Sequence, residues 1–246
     1  MIEFFRGPKK SYDLKEHGQG IYFATDTKEV LMDGGVYTGP KQEKCKQQWV
    51  DVVGTIEEAF SKGGMVALTE DKTIYESLVV EPGVSAVLDL GDYSITNNNI
   101  LSNKSFAITV SEGAHLTIMG NGTVNGGSGS ASNMAIRIEG GYCEIKSGNF
   151  IVGPDIDGLG NSCVEVNNGI LEISGGTFST EKDYKGKYFV LNKKDGSDSV
   201  ISVTGGTFIN YDPSNSNTEN PEQNFVANGY KAIQIEGTNN YKVVKV

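Results

Sequence analysis

The chain has 246 residues, 37% of them hydrophobic and 32 of them glycine, which allows one large domain with an appendage and favours many short strands and turns over a helical bundle. Its net charge is −10 and its only arginines are Arg6 and Arg137, so nucleic acid is not expected as a partner: an acidic surface repels polyanions and bidentate phosphate clamps are nearly lacking. No apolar run approaches membrane length, the opening MIEFFRGPKK has no apolar secretory core, and three cysteines argue against a disulfide framework; synthesis and assembly inside a cell, without membrane insertion, are expected.

Residues 1–40 differ in composition from the rest. The phrase FFRGPKKSYDLKEHGQGIYFATDTKEVLMDGGVYTG predicts two strands, IYFAT and EVLMD, around an Asp-Thr-Lys turn. So short a segment is marginal as an independent core and calls for oligomerisation or docking on a partner.

Residues 41–64 predict a connecting or capping helix. Cys45, Trp49, Val52, Ile56 and Ala59 fall at steps of 4, 3, 4 and 3, an amphipathic stripe and equally an a/d seam. Gly54 weakens the middle, Thr55 with Glu58 forms a capping box that starts a second helix at Ile56, and Gly63-Gly64 ends it. The preferred reading is a plug over the open end of the domain that follows; the rival is a trimeric seam.

Residues 65–246 are repetitive. Gly122-Thr123-Val124, Gly148-Asn149-Phe150, Gly176-Thr177-Phe178 and Gly206-Thr207-Phe208 recur at intervals of 26, 28 and 30 residues, and Gly91-Asp92-Tyr93 is a fifth copy 31 residues earlier. Such a period signals a solenoid. A second phrase accompanies it: AITVSEGAHLTI (107–118), AIRIEGGYCEI (135–145), CVEVNNGILEI (163–173) and AIQIEGTNNYKV (232–243). Each alternates, turns at a Gly-containing corner and alternates again, so each coil carries at least two strands and has room for three. Ile108/Val110, Ile136/Ile138, Val164/Val166 and Ile233/Ile235 are the inward pairs. Phe150, Phe178 and Phe208 form an internal aromatic stack with Val124 above it. The fold class is mainly β, a parallel β-helix, with the capping helix and a small β N-terminal module.

Three stretches carry family resemblances. Residues 55–96, with Leu88-Asp89-Leu90-Gly91, resemble the opening segment of pectin-lyase-like right-handed β-helix proteins, a likeness that extends over roughly 55–246. Residues 220–244 resemble the closing module of repeat-rich surface proteins of gut bacteria and their phages. The phrase IYFATDTKE before a Gly-rich turn resembles the N-terminal modules of bacteriophage fibre proteins, notably of crAss-like gut phages. The resemblance implies a virion fibre, usually a homotrimer, assembled in the host cytoplasm and exposed on the particle. Residues 1–40 would anchor it to capsid or tail proteins, with Phe4, Phe5, Tyr22 and Phe23 as anchoring side chains. The β-helix would face outward for adhesion to host-surface or mucus glycan. The short chain favours a head fibre over a tail fibre. A polysaccharide depolymerase and a bacterial surface adhesin are the alternatives on the same fold.

The candidate chemistry is sparse. Lyases of the resembled class use an Arg or Lys base and carboxylate-bound Ca²⁺, but Arg137 is the one arginine of the β-helix. Its outward column is expected to run Thr109, Arg137, Glu165 and, after an intervening coil, Gln234, giving an exposed Arg137–Glu165 pair worth under about 1 kcal/mol. Glu144 and Glu172 fall at equivalent outward positions about 5 Å apart, the carboxyl separation of a retaining glycosidase and equally two solvated side chains near Lys146. Asp155 and Asp157 in GPDIDGLGN suggest a Ca²⁺ loop, though the twelve-residue EF-hand spacing is absent. His17 and His115 have no partner at metal spacing. Cys143, aligned with Leu116 and Leu171, and Cys163, aligned with Ala107 and Ala135, fit the core. No cofactor motif is visible. The polar insertion 210–230 predicts a loop, a common binding face in repeat proteins. Tyr184, Tyr188, Tyr211 and Tyr230 gather near it and are candidates for sugar stacking, with ordinary packing as the other reading.

Overall fold

The computed structural model describes residues 54–99, 104–128, 132–154, 160–181 and 188–246, and before them five three-residue strands by their backbone. Among those, Ile2–Phe4 pairs antiparallel with Lys10–Tyr12. Ile21–Phe23 pairs antiparallel with Val30–Met32, as the turn between IYFAT and EVLMD predicts, and Gly35–Tyr37 adds a third strand that the sequence reading missed. Phe4, Tyr22 and Phe23 therefore sit on hairpin strands. Phe5 lies outside the described residues, as do Cys45, Trp49 and Val52.

From Gly64 the chain winds as a β-solenoid with three strands per coil, so that each face is a parallel sheet. The first face stacks Gly64–Ala67, Ser85–Asp89, His115–Met119, Tyr142–Ile145, Ile170–Ile173 and Val200–Val203. The second stacks Leu78–Val80, Lys104–Val110, Ser132–Glu139, Ser162–Asn167 and Leu191–Lys193. The third stacks Lys72–Ile74, Ser94–Asn97, Thr123–Asn125, Asn149–Val152, Thr177–Thr180 and Thr207–Phe208. No coil can bury its inner face alone, and stacking supplies the missing layer.

Register turns alternation into columns. Val66, Leu88, Ile118, Ile145, Ile173 and Val203 stack inside the first face. Leu78, Ile108, Ile136, Val164 and Leu191 do so inside the second. Inside the third, Ile95 and Val124 lead into Phe150, Phe178 and Phe208, whose rings stack at 5.0 and 5.2 Å with a 10° tilt at each step. All of these are buried, each worth roughly 1.5–3 kcal/mol of transfer free energy relative to exposure. Outward on the third face, Ser94, Thr123, Asn149, Thr177 and Thr207 form a column of hydroxyls and amides.

The Gly-Gly-Thr-Phe phrase makes the corner between the first and third faces. Gly176 and Gly206 both have φ of +97°, a region that L side chains rarely adopt. The fifth copy is out of register: Ser94 pairs with Thr123, so Tyr93 and not Gly91 stands where Gly122 does. Gly91 serves a different contact, accepting the backbone N–H of Gly122 at 2.8 Å.

A helix over Ile56–Lys62 closes the first end. Thr55 caps it, accepting the Glu58 N–H at 3.1 Å, while the Glu58 carboxylate reaches back to the Gly54 N–H at 3.3 Å. Ile56, Ala59 and Phe60 are buried in the solenoid core, and the Phe60 carbonyl accepts the Glu81 N–H at 2.9 Å. Two positions of the supposed trimeric seam, Ile56 and Ala59, are thus buried inside their own chain, where the plug reading puts them.

The far end departs from the repeat. AIQIEGTNNYKV is not a coil. Tyr230–Gln234 and Tyr241–Lys245 form an antiparallel hairpin whose second strand pairs antiparallel with Thr207–Phe208. Ile233 and Ile235 are 44% and 38% exposed. Leu191–Lys193 is the intervening coil, with Asn192 beside Glu165, and Gln234 does not follow in that column because its strand joins the sheet of the third face. Alternation alone does not distinguish a coil strand from a capping hairpin, because both bury one face.

Candidate functional site

Arg137 pairs with Glu165 in the neighbouring coil at 3.7 Å, as the column predicts, and more closely with Glu139, two residues along its own strand. The side chain is only 13% exposed. Phe106 lies under the guanidinium at 4.7 Å, and the Asn167 and Asn192 amides donate to Glu139 and Glu165 at 2.6 and 3.2 Å. The pair is therefore a half-buried network rather than an exposed bridge, with two carboxylates and a ring occupying the guanidinium. Glu139 was detectable in the sequence, since residues two apart on a strand share a face.

Glu144 and Glu172 are register partners on the first face. Lys146 Nζ and the Thr117 hydroxyl each lie 3.3 Å from Glu144, and the Tyr142 hydroxyl donates to Glu172 at 2.8 Å. Burial and then the Glu172 carboxylate push the Tyr142 phenol well above its ordinary range, so Tyr142 stays a donor. His115 is exposed and meets the Tyr142 ring at 5.3 Å. Cys143 and Cys163 are buried in the core, as their columns predict, and burial raises both thiols. Among the described residues no three His, Cys, Asp or Glu side chains converge at metal-binding distance. Asp155, Asp157 and Tyr184 lie outside the described residues.

The insertion 210–230 runs without helix or strand as far as Tyr230, as the loop prediction has it. It folds across the last coil, where Val203 donates to the Phe225 carbonyl at 2.8 Å and accepts the Ala227 N–H at 3.0 Å. Tyr211 is 4% exposed. Its hydroxyl lies 2.8 Å from Ser216 Oγ and 3.3 Å from the Leu191 carbonyl, and its ring is 6.3 Å from Phe208. Tyr211 thus ends the aromatic stack and is closed to sugar, because the last coil would otherwise expose its core. Tyr188 and Tyr230 pack against the core but stay half-buried.

Glu219 in this cap accepts the Lys193 N–H at 3.1 Å, and burial raises its carboxyl above the ordinary glutamate range. An unfolded glutamate titrates near about 4.3. Between that value and the folded pKa the folded state holds the extra proton, so this group's contribution falls as pH rises through the interval and then levels. Glu219→Gln is expected to remove that slope while keeping an acceptor for Lys193. Thermal melts of both proteins from about pH 4 to about pH 7 check it; a Tm difference that does not vary with pH contradicts it.

A groove of about 360 Å³ opens at the edge of the third face, lined by Asn125, Ile151, Thr180, Glu181, Tyr188 and Asn210 among others. Three successive coils and the start of the cap supply these residues, so no local sequence signal announces the groove. Among the described sugar-stacking candidates, Tyr188 is the one placed in it.

Fold and groove define the class, a parallel β-solenoid closed at both ends. Comparison with protein-family models, curated proteins and solved structures finds no match.

Proposed function

We propose that the chain is a fibre component of a phage virion, a head fibre in preference to a tail fibre, that displays the solenoid as a non-catalytic surface for adhesion to host or mucus glycan. The virion assignment rests on the resemblance of the segment around IYFATDTKE. The non-catalytic part rests on one structural observation: Glu144 and Glu172, the sole carboxylate pair weighed for hydrolysis, belong to neither the groove nor the Arg137 network, and Lys146, Thr117 and Tyr142 engage them. In this reading residues 1–40 hold the particle and the protein is a homotrimer.

The test is incorporation. The full chain should be found in purified virions and have a trimeric native mass, and a chain lacking residues 1–40 should fold and stay out of particles. Incorporation of the shortened chain refutes the anchor. Release of oligosaccharide from host capsule, lost in a Glu144→Gln/Glu172→Gln protein, refutes the non-catalytic reading in favour of a depolymerase.

A further inference from the structure

We propose that Asn228 is a self-modification site: the Gly229 nitrogen closes on the Asn228 side-chain amide, and the asparagine becomes aspartate or isoaspartate while the protein stays folded. The inference is independent of the adhesion reading.

Glycine after asparagine favours this reaction, because it has no Cβ to crowd the ring as it closes and allows a wide range of backbone angles. The chain contains four such pairs: Asn121-Gly122, Asn125-Gly126, Asn168-Gly169 and Asn228-Gly229. The dipeptide therefore does not choose among them; their surroundings do. Ring closure needs a loose side-chain amide and a peptide unit that can rotate until its nitrogen faces the amide carbon.

Three pairs are pinned in the coils. Gly122 donates its N–H to the Gly91 carbonyl at 2.8 Å, and the Asn121 carbonyl accepts the Asn149 amide at 3.0 Å. Gly126 donates to the Ile151 carbonyl at 2.9 Å, and the Asn125 amide oxygen accepts the Gly127 N–H at 2.9 Å. The Asn168 amide oxygen accepts the Asp198 N–H at 3.2 Å. Gly169 is buried so closely that an added Cβ would stand 2.6 Å from the Gly141 carbonyl oxygen.

Asn228-Gly229 lacks these restraints. It is the middle of the turn from the cap into the terminal hairpin, closed by the Tyr230 N–H on the Ala227 carbonyl at 3.1 Å. Both residues are exposed, and nothing lies within 4 Å of a Cβ added at Gly229. Among the described residues no hydrogen bond holds the Asn228 side chain, its carbonyl or the Gly229 N–H. Ala227 donates to Val203 at 3.0 Å and Val246 donates to the Gly229 carbonyl at 2.9 Å, so the flanks are fixed and the peptide between them is free to flip.

The step balances without an outside oxidant or metal. A bond forms between the Gly229 nitrogen and Asn228 Cγ, the bond from Cγ to the side-chain nitrogen breaks, and that nitrogen leaves as ammonia with the Gly229 proton. Water then opens the cyclic imide at one carbonyl to aspartate or at the other to isoaspartate. Either product adds a negative charge to the cap. Isoaspartate also lengthens the main chain within the turn.

The full-length protein is incubated at mildly alkaline pH, folded and in guanidinium, and sampled by peptide mapping and isoaspartyl methylation. In the folded protein Asn228 should convert at least about fivefold faster than the other three, whose reaction waits on local opening. In guanidinium the four rates should converge. Asn228→Gln, whose longer side chain does not close the five-membered ring, should remove most of the isoaspartate signal from the folded protein; circular dichroism confirms that it folds. Conversion of Asn121, Asn125 or Asn168 at the Asn228 rate in the folded protein overturns the assignment. So does an Asn228 that stays intact when folded over the time in which the unfolded chain converts it. Rates that differ as much in guanidinium as in the folded protein place the selection in the flanking sequence and overturn the structural argument.

Discussion

Phe178→Ala is expected to destabilise the solenoid by about 4 kcal/mol, the cost of truncating a buried aromatic residue in a core that cannot fully collapse. The ring is fully buried between two others, at 5.0 Å from Phe150 and 5.2 Å from Phe208. Each stacked contact adds about 0.5–1.5 kcal/mol beyond area burial. Repeat proteins are stabilised by nearest-neighbour interfaces, and Phe178 takes part in two of them. Phe150 has one aromatic neighbour and Val124 on the other side, so Phe150→Ala should cost less. The loss is a large share of the roughly 5–15 kcal/mol that holds a typical domain folded. Loss of coupling between coils should also broaden the transition or split it, because long repeat arrays leave two-state behaviour when an interface weakens. Guanidinium unfolding of the wild type, Phe178→Ala and Phe178→Leu measures this, with the leucine variant recovering much of the loss. A change below about 1 kcal/mol for alanine shows that the stack is not a main element of the core.

The same column shows why part of this fold was legible and part was not. Gly-Gly-Thr-Phe recurs because its residues meet their own copies, so period and alternation carry the coil, its corner and the inward columns directly. The Thr55–Glu58 box and the Gly63-Gly64 stop located the plug because helix capping is local. Ends obey different physics. A terminal coil needs its core covered, and any segment with one apolar face can do it. AIQIEGTNNYKV therefore resembles a coil in sequence and folds as a hairpin, while Leu191–Lys193, hidden in YFVLNKKDG, takes the fifth place in the column of the second face. Tyr211 looked available because its neighbours are Asn, Ser and Pro, but its burial depends on Phe208 and Leu191 in the coil it covers. The groove was the least legible feature. Asn125, Ile151, Glu181 and Tyr188 come together only after register is set, and a shift of one residue would turn Ile151 inward. Arg137 stands between these cases: its neighbour Glu165 follows from the column, while its closer partner Glu139, on the same period-two face, went unnamed in the sequence reading.

Gly175→Ala is the second severe substitution, and its cause differs from that of its neighbour Gly176. A Cβ at Gly175 would stand 2.2 Å from the Lys146 carbonyl oxygen in the preceding coil, and one at Gly205 would stand 2.1 Å from that of Ser174. The obstacle is backbone, and the distance between coils is fixed on either side of the corner by the pairings of Ile145 with Ile173 and of Phe150 with Phe178. The corner cannot open without loosening one of these ladders. A loss of about 3 kcal/mol or more is expected, the upper end of overpacking effects. At Gly176 the penalty is mainly conformational: φ is +97°, a non-glycine residue held in a sparsely populated region costs about 1–3 kcal/mol, and an added Cβ would meet the Gly148 carbonyl oxygen at 2.9 Å, a milder clash than at Gly175. Gly196 separates the two causes, since its φ is +72° with nothing within 4 Å of an added Cβ. Urea unfolding should therefore rank the alanine variants as Gly175 most damaging, Gly176 next and Gly196 least. If Gly175→Ala proves no worse than Gly196→Ala, the coils are free to move apart at their corners, and close packing of backbone on backbone is not what the doubled glycine provides.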